Sequence, residues 1–403
     1  MKQLVLSLLL LMPLGTWSHH ISDSNVKTLQ VVVNNNWLQA PVMRLHSNDQ
    51  LRLSFDELSH NYHRYSYQIE HCEPDWSPSE GLFESDWLTG FNGNIIDDYA
   101  HSNNTVIAYT HYELQLPNDH CQLKMSGNYR IHIYDEDNDN REVLVAEFMV
   151  VEPQMSLSIS ASSNTDIDTR QRHQQVTMTL NYGSLPVTDP TSQIYAVVMQ
   201  NNQTRNQKSN IKANITTPNG LEWRHNRQLI FDAGNEYRKF EVLDPSHPTM
   251  GIDYITWDGN NYQAYPFMDE PRPNYLYDED ANGAFCVRNS DNQEVNTTSE
   301  YVWVNYRLKA PYQGPVYISG RWTTPTGTDT YMLYYDPINE LYTASVLQKQ
   351  GYYNYQYITA NGQQLPSEGS YYQTENHYQA LIYYKGITDR TWRLTAFADT
   401  PVE

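Results

Sequence analysis

Gly127-Asn128-Tyr129-Arg130-Ile131-His132-Ile133-Tyr134 and Val143-Leu144-Val145-Ala146-Glu147-Phe148-Met149-Val150, joined by the acidic run Asp135-Glu136-Asp137-Asn138-Asp139-Asn140, decide the fold. Both arms are rich in β-branched and aromatic residues, the first alternates apolar and polar side chains, and the polar link turns the chain back, so the stretch reads as a β-hairpin. Working outward, Leu29-Gln30-Val31-Val32-Val33, Leu51-Arg52-Leu53-Ser54-Phe55 and Tyr65-Ser66-Tyr67-Gln68-Ile69 repeat the period of two. Strands of this kind bury one face each, and together they predict an immunoglobulin-like β-sandwich over residues 19–153. Glu152-Pro153 breaks the run.

Beyond the break, Val176-Thr177-Met178-Thr179-Leu180, Ile194-Tyr195-Ala196-Val197-Val198-Met199 and Lys239-Phe240-Glu241-Val242 predict a second β-rich domain over 154–300, with polar loops at Asn201–Asn210 and Pro266–Asp280. Tyr301-Val302-Trp303-Val304-Asn305-Tyr306, Val316-Tyr317-Ile318-Ser319-Gly320 and Tyr352-Tyr353-Asn354-Tyr355-Gln356-Tyr357 predict a third, over 301–403. No helical period longer than about two turns stands out, so the class is all-β, in tandem immunoglobulin-like or early-set β-sandwich domains. The 403 residues suit about two to four domains.

The start, Met1-Lys2-Gln3 and then Leu4 to Leu14, has one positive charge and an apolar run too short to span a bilayer. It reads as a signal peptide over 1–18, cleaved after Ser18, with an uncleaved anchor as the alternative. No later stretch is apolar enough for a transmembrane segment, and the expected place is the periplasm. With 26 Lys+Arg against 47 Asp+Glu the formal net charge is −21. Phosphate backbones repel such a chain, so nucleic acid is excluded as a partner. Cys72, Cys121 and Cys286 are too few for a disulfide scaffold, and whether Cys72 bonds Cys121 stays open.

Catalytic signatures are missing: there is no G-x-S-x-G elbow, no H-E-x-x-H helix and no Gly-rich phosphate loop, so no cofactor and no catalytic residue is assigned. The alternate carboxylates of Asp135 to Asp139 begin like a calcium loop, but Asn140 stands where that loop needs Gly and Ala146 where it needs Glu. They read instead as a solvated tip. Gly314 to Trp322 and Gly351 to Tyr357 have the rhythm of early-set domains that stack aromatics on sugars, which makes a carbohydrate-binding module, with Trp303 and Trp322 as its platforms, the alternative function.

The densest unusual stretch is His71-Cys72-Glu73-Pro74-Asp75-Trp76, followed by Trp87, Gly90-Phe91, Asp98-Tyr99 and Tyr109-Thr110-His111-Tyr112. Such a segment either caps the sandwich as a self-packed loop or presents aromatic anchors to a partner. In the second case the anchors are Asp75, Trp76, Trp87, Phe91, Tyr99, Tyr109 and Tyr112. The same series, continuing through Leu116-Pro117-Asn118, Ser126-Gly127-Asn128-Tyr129, Gly251-Ile252-Asp253-Tyr254 and Pro271-Arg272-Pro273, resembles the plug-protein family of the type IX secretion system of Bacteroidota, long carried as a domain of unknown function. The resemblance is weakest in the C-terminal domain. It implies a non-enzymatic periplasmic protein, monomeric outside its complex, whose partner is the very large outer-membrane β-barrel translocon of that system. There it would occlude the periplasmic mouth.

Overall fold

Alternating strands must hide one face, and in the computed structural model, which describes residues 19–323 and 329–402, they do so around three separate cores. The expected signal peptide, 1–18, lies outside the described residues. About half of the residues are strand and about 5% helix. The α-helices are single turns such as Glu84–Trp87 and Pro190–Gln193.

The first core lies between two sheets. One runs His19–Ile21, Arg141–Val151, Gly127–Asp135, Tyr65–Cys72, Asn94–Ile95; the other runs Val26–Val33, Leu51–Glu57, Thr110–Leu116, Asp98–His101. The deciding hairpin pairs as its sequence dictates, with Ile131 opposite Ala146 and Tyr129 opposite Phe148. Phe55, Tyr65, Tyr112 and Tyr129 fill the space between the sheets, and Phe55 stacks on Tyr112 at 5.3 Å. Large aromatic areas of this kind offset the polarity of the composition.

The second core departs from the expected boundaries. Ser156–Ser162, His173–Asn181, Gly220–Trp223 and Ile215–Thr217 form one sheet, and Gln203–Ser209, Ile194–Gln200, His377–Tyr384 and Arg393–Pro401 form the other. The residues of the last two strands were expected within the C-terminal domain, 301–403. They instead complete the second sandwich, with Tyr384 opposite Ile194 and Tyr378 opposite Gln200, and Tyr378, Ala380, Ile382 and Ala396 join Val176, Met178 and Trp223 in one core. The third domain, about 235–370, is therefore an insertion rather than the tail expected at 301–403. Its two ends are pinned side by side: Tyr371 N–H donates to Gly234 O at 2.8 Å, and Asn376 Nδ2 donates to Ala233 O at 2.7 Å. Adjacent ends are what allow one domain to interrupt another.

Nine strands make the inserted sheet, from Arg238–Val242 at one end to Ile252–Trp257 at the other. Residues from both ends and the middle, Phe240, Ile252, Val304, Tyr342 and Tyr355, belong to one core, so the sheet curls around it. Asn201–Asn210, expected as a loop, is a turn at Asn201-Asn202 followed by the strand Gln203–Ser209. Both asparagines have φ of 57°, the left-handed conformation that two-residue hairpin turns require and Asn tolerates.

Candidate functional site

Two of the quoted motifs, His71 to Trp76 and Tyr109 to Tyr112, contribute side chains to the seams between domains. Strand pairing sets Asn128 opposite Cys72 and Tyr129 opposite His71, so His-Cys-Glu-Pro-Asp-Trp and Ser-Gly-Asn-Tyr lie side by side. Gly127 is needed there, because a Cβ on it would meet His71 Nε2 at 2.4 Å. His71 Nδ1 bonds Ser79 Oγ at 2.8 Å, yet both side chains are buried and the pair has a structural setting. After Cys72 the chain turns tightly: Trp76 N–H donates to Glu73 O, Ser77 N–H and Oγ both donate to Asp75 Oδ1, and Trp76 takes φ of 66°. A tryptophan in the left-handed region costs on the order of 1–2 kcal/mol, so its surroundings must over-determine it.

They do. Cys72, Trp76, Met149 and Val151 of the first domain pack with Val197, Met199, Leu381, Tyr383 and Leu394 of the second in one buried cluster. Polar bonds frame it: Thr391 Oγ1 donates to Glu73 Oε1 at 2.6 Å, Tyr383 OH donates to Asn128 Oδ1 at 2.7 Å, and Arg390 bonds Asp86 at 2.6 Å. Cys72, Cys121 and Cys286 are free thiols, which settles the pairing question.

The period of two divides Tyr109-Thr110-His111-Tyr112 between two interfaces. Tyr112 enters the first core, where its hydroxyl holds the backbone of His63. Tyr109 and His111 face the third domain. His111 Nδ1 lies 2.7 Å from Asp56 Oδ1, and Asp56 Oδ2 accepts from Lys349 Nζ at 2.8 Å and Tyr301 OH at 2.7 Å. Lys349 also donates to Asn296 O at 2.6 Å and stands 4.0 Å over the Tyr109 ring, whose hydroxyl donates to Ser299 O. Glu300 extends the seam by accepting from Val106 N–H and Ile107 N–H. Burial alone would raise the Asp56 carboxyl, but the Lys349 ammonium and the His111 bond hold it below the usual range.

Of the seven expected anchors, the structure buries four: Trp76, Trp87, Tyr109 and Tyr112. Trp87 packs on Tyr129 in the first core. Asp75 is exposed, Phe91 is 76% exposed and Tyr99 42% exposed, so these three can meet a partner without rearrangement. Trp322 packs against Tyr306, Tyr331 and Tyr353 and donates to Asn354 O at 2.7 Å, which spends its ring on the third core. Asp56, Lys349, Tyr301 and Glu300 escaped the sequence reading. The one available signal was Asp56, whose place on the outer face of an otherwise alternating strand suits either water or a covering domain.

A second ionic knot rigidifies the inserted domain. Arg272 and Arg238 both pair with the buried Glu368, and Arg238 also reaches Asp269 at 2.7 Å, which accepts from Tyr355 and Tyr357. Arg272 lies in Pro-Arg-Pro, so this motif straps the segment 266–280 onto the sheet.

Two carboxyls carry the opposite electrostatics. Burial pushes Glu147 up to about 8, with only Arg130 Nε bonded to it and its Oε2 unpartnered; burial pushes Asp280 up to about 7. Both are protonated in the fold at pH values where the unfolded chain has lost those protons. Stability from such groups is full below the unfolded value of about 4 and is lost as pH rises through the folded values. The chain is expected to lose stability from about pH 5 to 8. In urea unfolding at stepped pH, Glu147→Gln should flatten that slope by about one proton. An unchanged slope would show Glu147 to be ionised throughout.

These features define an all-β protein of three interlocked domains. A family model described as "Type 9 secretion system plug protein 1st domain" matches residues 26–152. A crystal structure of a hypothetical protein from Parabacteroides merdae is 35% identical, with a TM-score of 0.91 over 96% of this chain and 99% of that one. No curated protein matches the sequence. The first domain, residues 26–152, belongs to the type IX secretion system plug family. Membership implies association with that secretion system and a place in the cell envelope. Among the described residues, no helix is long and apolar enough to cross a membrane.

Proposed function

We propose that the chain is a non-enzymatic, pre-assembled stopper that occludes the periplasmic mouth of the outer-membrane translocon barrel of the type IX secretion system. The observation that carries this reading is the family match over the first domain. The seams support it: a stopper held by shape must not deform, and a buried ion pair at one seam and an apolar, aromatic cluster at the other join the three domains into one body. The docking surface is assigned to the exposed tips of the motif segment, Phe91 and Tyr99 with Asp75, since interface anchors are typically aromatic side chains left free in the unbound protein.

The test is a pull-down of the tagged chain from detergent-solubilised envelopes of its own source. Recovery of one very large outer-membrane barrel is expected, and Phe91→Ala with Tyr99→Ala should weaken it by about 1–2 kcal/mol each while leaving the unfolding midpoint in place. Retention on a polysaccharide column with no barrel recovered would overturn the reading.

A further inference from the structure

The hairpin tip and the loop after Glu57 bring three ligand atoms together, one ring nitrogen of His63 and one carboxylate oxygen each from Asp135 and Asp137, all within 4.8 Å of one another. Each is fixed by its backbone surroundings. The Tyr112 hydroxyl accepts from His63 N–H at 2.7 Å and bonds its carbonyl at 3.2 Å. Asp137 Oδ2 accepts from Arg64 N–H at 2.8 Å, and Asp135 Oδ1 accepts from Asp137 N–H at 3.1 Å.

The hydrogen bonds around the imidazole determine which nitrogen carries a lone pair. The Ser59 hydroxyl has one hydrogen and gives it to Glu57 Oε2 at 2.6 Å, so in its 3.2 Å contact with His63 Nε2 the imidazole must donate. In the neutral ring this leaves the lone pair on Nδ1. Nδ1 is buried, has no hydrogen-bond partner, and stands 3.3 Å from Asp135 Oδ2. Nδ1 and the Asp135 carboxylate are thus two electron-pair donors facing one gap, the arrangement a bound cation fills. The charge balance points the same way: Glu57 and Asp135 are 2% and 3% exposed, and among the described residues no lysine or arginine pairs with either. Buried carboxylates require a compensating cation.

We propose that His63, Asp135 and Asp137 bind a divalent metal ion of the zinc class. The nitrogen ligand argues against calcium and magnesium, which take oxygen, whereas imidazole with carboxylates suits zinc and its neighbours. Two ligands about 2.0–2.2 Å from a tetrahedral metal stand about 3.3–3.6 Å apart, in keeping with the spacing of Nδ1 and Asp135 Oδ2. Nε2–H to Ser59 and on to Glu57 is the second sphere that orients a ligating histidine. Asp137 is exposed, so the ion has a way in and a position for water. The acidic tip thus serves a different ion from the calcium loop it begins like, and its missing ligand arrives from His63 on another loop.

The purified full chain, stripped with a chelator, is titrated calorimetrically with zinc and then with calcium. One equivalent of zinc at micromolar affinity or tighter is expected, with no calcium binding. His63→Gln and Asp137→Asn should each lower the zinc affinity about tenfold or more, and Asp139→Asn, on the same tip but outside the triad, should leave it unchanged. Because Asp137 is exposed, Asp137→Asn should unfold in chelator at the wild-type midpoint. Absence of zinc binding, a preference for calcium, or zinc binding indifferent to both substitutions, as a site at His19 and His20 would give, overturns the proposal.

Discussion

Lys349→Met is expected to lower the unfolding free energy by about 3–5 kcal/mol and to part the first domain from the third. The substitution keeps most of the stem and removes only the charge, which leaves Asp56 buried with Tyr301 and His111 as its hydrogen-bond partners. Lys349 is itself 2% exposed, and burial pulls its ammonium below the ordinary range while Asp56 opposes that shift. An ion pair of this kind adds little over an apolar replacement of the whole pair, but removing one member strands the other. The double variant Lys349→Met with Asp56→Asn should therefore recover part of the loss. Asp56 also gives the seam an acid limit: its carboxyl is depressed in the fold, so its contribution is present above the unfolded value of about 4 and is lost as pH falls through the folded value. Urea unfolding with limited proteolysis around Asn296 to Ser299 checks all of this. A Lys349→Met midpoint within about 0.5 kcal/mol of wild type would refute the seam.

The strands were legible because a period of two is a local property. Leu51, Leu53 and Phe55 announce an inward face, and the structure buries all three. What the period does not carry is the sheet a strand joins. His377–Tyr384 and Tyr301–Lys309 are both rich in tyrosine and aliphatic residues, yet the first completes the second sandwich and the other lies in the inserted sheet. The boundary expected at 300 failed because the chain returns to the second core after the insertion, and the return is marked only by tertiary contacts at Gly234 and Asn376. The candidate site was half legible for a related reason. A loop dense in Trp, Tyr, Asp and Glu is built to be covered, and its sequence is the same whether the covering surface belongs to another protein or to another domain of its own chain. Trp76 and Tyr109 are covered from within. Phe91, two residues into the same chain from the paired strand Leu88–Gly90's Thr89, is left open.

Trp76 is where these two meanings separate by experiment. Trp76→Ala is expected to cost about 3–5 kcal/mol, the range for deleting a buried aromatic ring. The ring lies among Met149 and Val151 on one side of the seam and Val197, Met199 and Leu381 on the other, with Arg130 5.9 Å from its centroid. Removing it leaves a cavity that neither sandwich can close without moving against Glu73, Thr391, Asn128 and Tyr383, whose bonds fix the spacing. Alanine also inherits the left-handed backbone at this position, so relief of strain cannot offset the lost packing. The expected signature in a denaturant titration is a split transition, the second sandwich parting from the first before either unfolds. Phe91→Ala, by contrast, removes a ring that stands in solvent and should move the midpoint by no more than about 0.5 kcal/mol. Its effect belongs in the barrel pull-down. Were Trp76→Ala to keep the wild-type midpoint and lose the barrel, the ring would be a docking anchor that swings out on binding, and the seam between the first two domains would have to be a releasable latch.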